Sequence, residues 1–169
     1  IMSFLMLAMI FMMVPRAIVS ASRINEVLET PLSIKDGTIN KDITNERGTV
    51  EFKNVSFKYP DAKEYLLKNI SFKANQGETV AFIGSTGSGK STLINLVPRF
   101  YDATEGQVLI DGIDVKEYKQ EFLYNKLGYV PQKAIIFSDS VEKNVSYGEN
   151  GKEKTKDEIK KAIKIALFY

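Results

Sequence analysis

The chain has 169 residues, 44% of them hydrophobic and 26% charged, the proportions of an ordinary globular protein of one domain or slightly more. It contains no Cys and no His, which excludes disulfides, thiolate metal sites and imidazole acid–base chemistry within these residues. A net charge of +2 is too mild to point to nucleic acid.

The chain begins IMSFLMLAMIFMMV, with Ser3 as the sole polar side chain before Pro15. A helix that crosses a bilayer takes about 17–25 apolar residues. The run is shorter than that, and it starts with Ile1 rather than Met, so it reads as the last part of a span. Arg16 and Arg23 follow Pro15, and basic residues just past an apolar segment mark a cytoplasmic exit. Pro15 can kink a membrane helix without ending it. A signal peptide and a buried core helix compete with this reading, although no basic segment precedes the run as a signal peptide requires. Ile18, Ala21, Val27 and Leu28 continue at broadly helical spacing until Thr30-Pro31 stops the helix. Residues 1–30 are therefore expected to be the end of a transmembrane helix and its cytosolic extension. Residues 31–48, polar and punctuated by Gly37, Asn40, Asn45 and Gly48, are expected to be a linker.

Residues 49–59, TVEFKNVSFKY, alternate at Val50 and Phe52 and again at Val55, Phe57 and Tyr59. The broken period between Phe52 and Val55 predicts a β-bulge near Lys53-Asn54. Pro60-Asp61 predicts a turn. Residues 67–74 predict a second strand, and Asn75-Gln76-Gly77 a second turn. These strands are expected to form an antiparallel sheet.

Val80-Ala81-Phe82-Ile83 is a short, partly β-branched apolar run, as a buried strand would be. Residues 84–91 then read GSTGSGKS, a full match to the phosphate-binding loop pattern G-x-x-x-x-G-K-[ST]. Leu93, Leu96, Val97 and Phe100 follow at helical spacing. Strand, glycine loop and helix are the context this pattern needs; a glycine-rich turn before a helix is the bland alternative. Gly84, Gly87 and Gly89 let backbone N–H groups converge on an anion without obstruction by a β-carbon. Lys90 supplies a mobile charge for outer phosphates. Ser91 offers a hydroxyl to Mg²⁺, which prefers oxygen ligands. Residues 49–169 are thus expected to hold a nucleotide-binding α/β core beside the antiparallel sheet.

Further on, Val108-Leu109-Ile110 predicts a strand closed by Asp111-Gly112, residues 116–126 a helix, and Gly128-Tyr129-Val130 a strand running into Pro131-Gln132. Residues 138–145 predict a short helix with Ser138 or Ser140 as its cap, and residues 147–154 a polar loop. Thr155 and Glu158 spell a capping box ahead of Ile159, Ala162, Ile163, Ala166 and Leu167 on one helical face. The lysines of this region are interleaved with Glu153, Asp157 and Glu158 and read as a solvated face. Three N-x-S triplets, at Asn54, Asn69 and Asn144, are read as chance. The last residues stop inside an apolar pattern with no helix-end signal, so both ends read as cut.

Together these residues resemble one family over nearly the whole chain: ATP-binding cassette exporters. Residues 54–60 (NVSFKYP) resemble the family's strand ending in an aromatic residue, which implies that Tyr59 stacks on adenine; by its pattern alone it reads as a strand-end core tyrosine. GSTGSGKST resembles the Walker A motif, which implies ATP binding by Gly84, Ser85, Thr86, Gly87, Ser88, Gly89, Lys90, Ser91 and Thr92. YVPQ at 129–132 resembles the Q-loop, which implies that Gln132 reaches Mg²⁺ and the attacking water, with Ser91 as the other Mg²⁺ contact. Residues 2–29 resemble the last transmembrane helix and its exit into the cassette. The implied fold is an α/β P-loop NTPase core with an antiparallel β subdomain, incomplete and preceded by the end of a transmembrane helix. The implied activity is ATP hydrolysis coupled to export, with ATP and Mg²⁺ as cofactors. The implied partners are a second cassette subunit in a homo- or heterodimer, the chain's own transmembrane domain and the lipid bilayer, with the cassette on the cytoplasmic side of the cell membrane and no nucleic acid. The signature motif LSGGQ and the Walker B acidic pair are absent, and in the family both come after the point this chain reaches. These residues are therefore expected to form one face of an ATP site, without the general base and inactive alone. A weakly hydrolysing regulatory subunit, or a soluble cassette ATPase acting on nucleic acid or ribosomes, are the competing readings.

Overall fold

A computed structural model describes residues 2–148 and 154–167, which divide into two units, one up to Lys35 and one from Asp36 on. The first unit is a single helix, α1 (Met2–Leu28). Its 27 residues extend about 40 Å at the α-helical rise, enough to cross a bilayer core. Its most apolar window has a mean hydropathy of 2.0 and none of it is buried. Pro15 lies inside the helix without breaking it. The helix closes where Glu29 N–H donates to the Asn25 carbonyl and Thr30 Oγ1 to the Glu26 carbonyl, just before Pro31.

The second unit is built on a four-stranded antiparallel sheet. Its strands are β1 (Val50–Phe57), β2 (Leu67–Ala74), β3 (Glu105–Ile110) and β4 (Ile113–Asp114), in the order β2-β1-β3-β4. The expected bulge is present: the register of β1 slips between Phe52 and Val55 against β2, and between Lys53 and Ser56 against β3. Asn54 takes a left-handed backbone (φ 48°), which asparagine tolerates better than most residues. Ser71 Oγ accepts from Asn54 N–H and donates to Asn54 Oδ1, so the extra residue is satisfied. Asn69 is also left-handed (φ 50°), and the Asn144 amide ties down the Phe137 backbone, so the asparagines of all three N-x-S triplets have conformational roles. The bulge makes room for a neighbour without a side chain: a β-carbon on Gly106 would collide with the Lys53 and Asn54 carbonyl oxygens.

Behind the sheet lies α2 (Lys90–Leu96), whose Leu93 and Leu96 pack with Phe52, Val55, Phe57, Leu67, Val108 and Ile110. Phe52 stacks on Phe72 at 4.6 Å between ring centres. The helix ends earlier than the spacing predicts. Phe100 N–H reaches the Asn95 carbonyl and Arg99 N–H the Leu96 carbonyl, a Schellman closure with Arg99 left-handed at φ 57°. Phe100 therefore leaves the helical face. The buried Arg99 side chain offsets its backbone cost with bonds from Nε to Asp102 Oδ1 (2.7 Å) and from Nη1 to the Lys116 carbonyl (3.3 Å).

Residues 36–49 contain neither helix nor named strand but are fastened to the sheet and to α3 (Gln120–Lys126). Ile39 bridges Tyr118 in parallel, Asp36 Oδ1 accepts Gln120 N–H at 2.7 Å, and Lys126 Nζ is shared by Asp42 and the buried Asp111. This pairing explains why α3 starts at Gln120 and not at Lys116. The Glu117 and Tyr118 carbonyls accept N–H groups from residues 37–39, which commits that backbone to a bridge and not to a helical turn.

Two predicted strands are not formed. Residues 80–83 and 128–130 carry no strand pairing, and Ile83 and Val130 are 97% and 91% exposed. A buried parallel strand needs a hydrogen-bonded neighbour, and among the described residues none lies beside either run. The remaining elements are α4 (Val141–Val145) and α5 (Lys156–Leu167). Ser140 caps α4 by accepting Lys143 N–H. Thr155 and Glu158 exchange the bonds of the predicted capping box. Of the expected apolar face of α5, Ile159 is buried, Ile163 half-buried, and Ala162 and Ala166 exposed. The Leu167 side chain, the chain's last two residues and most of the predicted loop at 147–154 lie outside the described residues.

Candidate nucleotide-binding site

Residues 84–89 form a loop that enters α2 through Gly89. Gly89 is required there twice over: its φ is +86°, and a β-carbon would sit 2.8 Å from Leu67 Cδ2 in the wall of the core. Lys90 folds back along the loop. Its Nζ donates to the Gly84 and Ser85 carbonyls at 2.8 Å each and to Ser88 Oγ at 3.3 Å. In a trans peptide C=O and N–H point in opposite directions. The two carbonyls gathered on Lys90 therefore turn the N–H groups of Ser85 and Thr86 away from it. At the start of α2 the first partner bond is Leu93 N–H to the Gly89 carbonyl, which leaves the N–H groups of Lys90, Ser91 and Thr92 without helical acceptors. The helix has only seven residues, so its dipole is the smaller effect; the N–H groups of its first turn and the ammonium carry the attraction for an anion. No carboxylate pairs with Lys90 among the described residues, so its charge is not already neutralised.

Two of the clefts that border this loop also reach Gln132. One, about 450 Å³, is lined by Thr86, Gly87, Ser88, Gly89, Lys90, Ser91, Thr92, Gln132 and Leu66. The other, about 480 Å³, is lined by Lys90, Ser91, Gln132, Ile94, Tyr129 and Val130 together with Val80 and Phe82. Lys90, Ser91 and Gln132 border both, so residues far apart in the chain converge. Gly84 and Ser85 line neither cleft and serve through their carbonyls. Tyr59 lines neither cleft, but its hydroxyl shares a 3.0 Å hydrogen bond with Thr92 Oγ1, which brings it to the first turn of α2. Its ring meets Phe57 and Tyr101 edge-on at 5.0 and 5.3 Å.

Residues 67–167 match the family model described as ABC transporter. The chain belongs to the ABC transporter family. An uncharacterized ABC transporter ATP-binding protein of Mycobacterium bovis is 43% identical over 167 residues, which is 98% of this chain and 29% of that protein. A putative multidrug export ATP-binding/permease protein of Bacillus subtilis is 48% identical over 120 residues, 71% of this chain and 20% of that one. Among solved structures, that of a bacterial Atm1-family ABC exporter with ATP bound superposes with a TM-score of 0.83 at 33% identity, covering 96% of this chain and 28% of that one. The chain thus spans less than a third of the length of these relatives, and its fold is that of part of an ABC ATPase with a helix ahead of it.

The residues present fit a metal carried in with nucleotide better than a resident one. Among the described residues no group of three or more acidic or imidazole side chains could hold a cation. Ser91 and Gln132 offer single oxygens on shared clefts, as suits Mg²⁺ bound mainly by phosphates and water. Leu66 and Asn95 were not foreseen as neighbours of the site. Leu66 sits in a turn that shows no periodicity. Asn95 did carry a signal, since it lies one helical turn beyond Ser91.

Proposed function

We propose that this chain is the ATP-binding part of a membrane exporter in which binding and hydrolysis of ATP drive efflux of a substrate. The observation that supports this most is the convergence of Lys90, Ser91 and Gln132 on shared clefts beside the glycine loop, in a chain that also carries the apolar helix α1. In this reading residues 1–30 end the membrane domain, 31–48 link it to the cassette, and the cassette faces the cytoplasm. The N–H groups of the loop and of the first turn of α2 cradle the phosphates, and Lys90 leaves the carbonyls of Gly84 and Ser85 to neutralise the outer ones. Tyr59, steadied by Thr92, presents its ring to the base. Ser91 and Gln132 would hold Mg²⁺ through their side-chain oxygens, and the ion would supply positive charge for the transferring phosphoryl group. Gln132 also orients the water. A second cassette, from a like or related subunit, supplies the opposite face of the site and the base, and closure of the pair is passed to the membrane helices.

The test uses the full-length protein in lipid nanodiscs. Lys90→Ala should weaken ATP binding and reduce transport-coupled hydrolysis by a factor of about 10² or more, because a preorganised charge at the developing phosphate is lost. Wild-type turnover in that variant would sink the assignment.

A further inference from the structure

Gln132 has little holding it in place. Residues 128–136 contain no helix or strand, and Ile135 and Ile136 are 75% and 81% exposed. Among the described residues this stretch makes one hydrogen bond: the Tyr129 hydroxyl donates to Asn95 Oδ1 at 2.9 Å. The same ring meets Phe100 edge-on at 5.3 Å. Both anchors belong to α2 and its closure. Asn95 lies one turn beyond Ser91, and its carbonyl accepts Phe100 N–H to end the helix. The element that begins with Lys90 and Ser91 therefore also fixes Tyr129.

We propose that Asn95 and Tyr129 are positioning residues that set where Gln132 stands relative to Lys90 and Ser91. The link from Tyr129 to Gln132 is Val130-Pro131, at most about 10 Å of extended chain. It is a stiff link, because proline fixes its own φ and drives the residue before it into an extended conformation. Anchoring the tyrosine therefore restricts the glutamine. Packing alone does not explain the hydroxyl: Tyr129 is 41% exposed, and phenylalanine would make the same edge contact with Phe100. What the oxygen adds is a directed bond to the phosphate-loop helix, which keeps the two sides of the cleft at one spacing.

This inference rests on the reading of Gln132 given above, and the experiment separates the two. In the full-length protein, Tyr129→Phe and Asn95→Ala each delete the bond, the first by removing a single oxygen. Both should lower kcat about three- to tenfold, the worth of one hydrogen bond, while ATP affinity measured without Mg²⁺ stays within about twofold of wild type. In a Gln132→Ala background neither should lower kcat further, because a residue that acts through Gln132 has nothing left to position. Wild-type kcat in Tyr129→Phe, or a loss that multiplies onto that of Gln132→Ala, would overturn the proposal while leaving Gln132 in its role. Wild-type turnover in Gln132→Ala itself would overturn both, and Lys90→Ala measured alongside shows whether the nucleotide site survives that failure. Should Asn95→Ala unfold on heating below wild type, Tyr129→Phe carries the test alone.

Discussion

The antiparallel sheet and the two apolar runs beside the phosphate-binding loop are made of the same kinds of residue and end in opposite conditions. In the sheet, Phe52 and Val108 face each other across β1 and β3 and are 1% and 2% exposed. In the runs, Ile83 and Val130 are almost wholly exposed. Apolarity is common to both, so it does not decide the outcome. Partnership does. β3 and β4 meet through the two-residue turn Asp111-Gly112, β1 and β2 across residues 58–66, and β1 and β3 from distant parts of the chain, so every strand of the sheet has a partner, whereas residues 80–83 and 128–130 have none among the described residues. Apolar composition sets a tendency to be buried, and pairing determines whether a strand exists.

The largest expected effect tests that contrast directly. Phe52→Ala should cost about 3–5 kcal/mol in urea unfolding of this chain, the price of a cavity in the core. Ile83→Ala should fall within about 0.5 kcal/mol, as at other exposed positions. Equal losses would show that residues 80–83 are packed in solution. In a longer polypeptide that supplies a parallel neighbour, the same Ile83 substitution should cost about 2–4 kcal/mol, which would sharpen the contrast. Next in size is Gly106→Ala at the bulge. There a left-handed backbone (φ +77°) combines with the close carbonyls of Lys53 and Asn54, for a cost of about 2–3 kcal/mol. Gly87→Ala, at φ +83° with nothing near its β-carbon, should cost only about 1 kcal/mol. A reversed ranking by the same unfolding measurement would mean that the bulge is looser than described.

Most of this was legible where the cause is local. The slip between Phe52 and Val55 shows in the broken period of two, and the capping box at Thr155 in its spacing. The loop from Gly84 to Thr92 is legible because phosphate binding by backbone groups demands glycines at fixed offsets. The rest depends on residues distant in the chain. Nothing around Lys116 says that its neighbours will bridge Ile39 rather than wind into a helix. Nothing at Arg99 says that a non-glycine residue will turn left-handed, since its compensation comes from Asp102 and from the Lys116 carbonyl. Tyr59 and Tyr129 were visible as aromatics next to motifs, but Thr92 and Asn95, the hydrogen-bond partners that give their hydroxyls a purpose, become partners only once α2 is placed between them.

The smallest expected effect concerns a third kind of region, residues 36–49, which has neither named strand nor apolar run and is held by its backbone bridge at Ile39 and by charge. Lys126 Nζ joins Asp42 to Asp111, beneath the rings of Tyr118 and Phe122. The hydrogen bond from Lys126 holds the Asp42 carboxyl below its ordinary range; desolvation opposes this, and the charges of Lys126 and Arg47 add smaller contributions to it. Burial pulls the Lys126 ammonium down, but its bonds to Asp111 and Asp42 outweigh that and leave it raised. Tyr118 is raised as well, chiefly by burial. A lowered carboxyl contributes stability that is complete above the unfolded value, near about 3.9, and is lost as pH falls through the folded value. A raised lysine contributes stability that is complete below about 10.4 and is lost as pH rises through its folded value, and Tyr118 adds to that alkaline loss. The clamp is therefore intact at neutral pH and loosens at both extremes. Asp42→Asn isolates the acid side, because it leaves the bond between Lys126 and Asp111 in place. The urea midpoint of that variant should differ little from wild type at pH 7, since Asp42 is exposed and screened. From pH 5 to pH 3 it should fall less steeply than wild type. Parallel curves over that interval would mean that Asp42 contributes nothing to the clamp and that Asp111 alone holds Lys126.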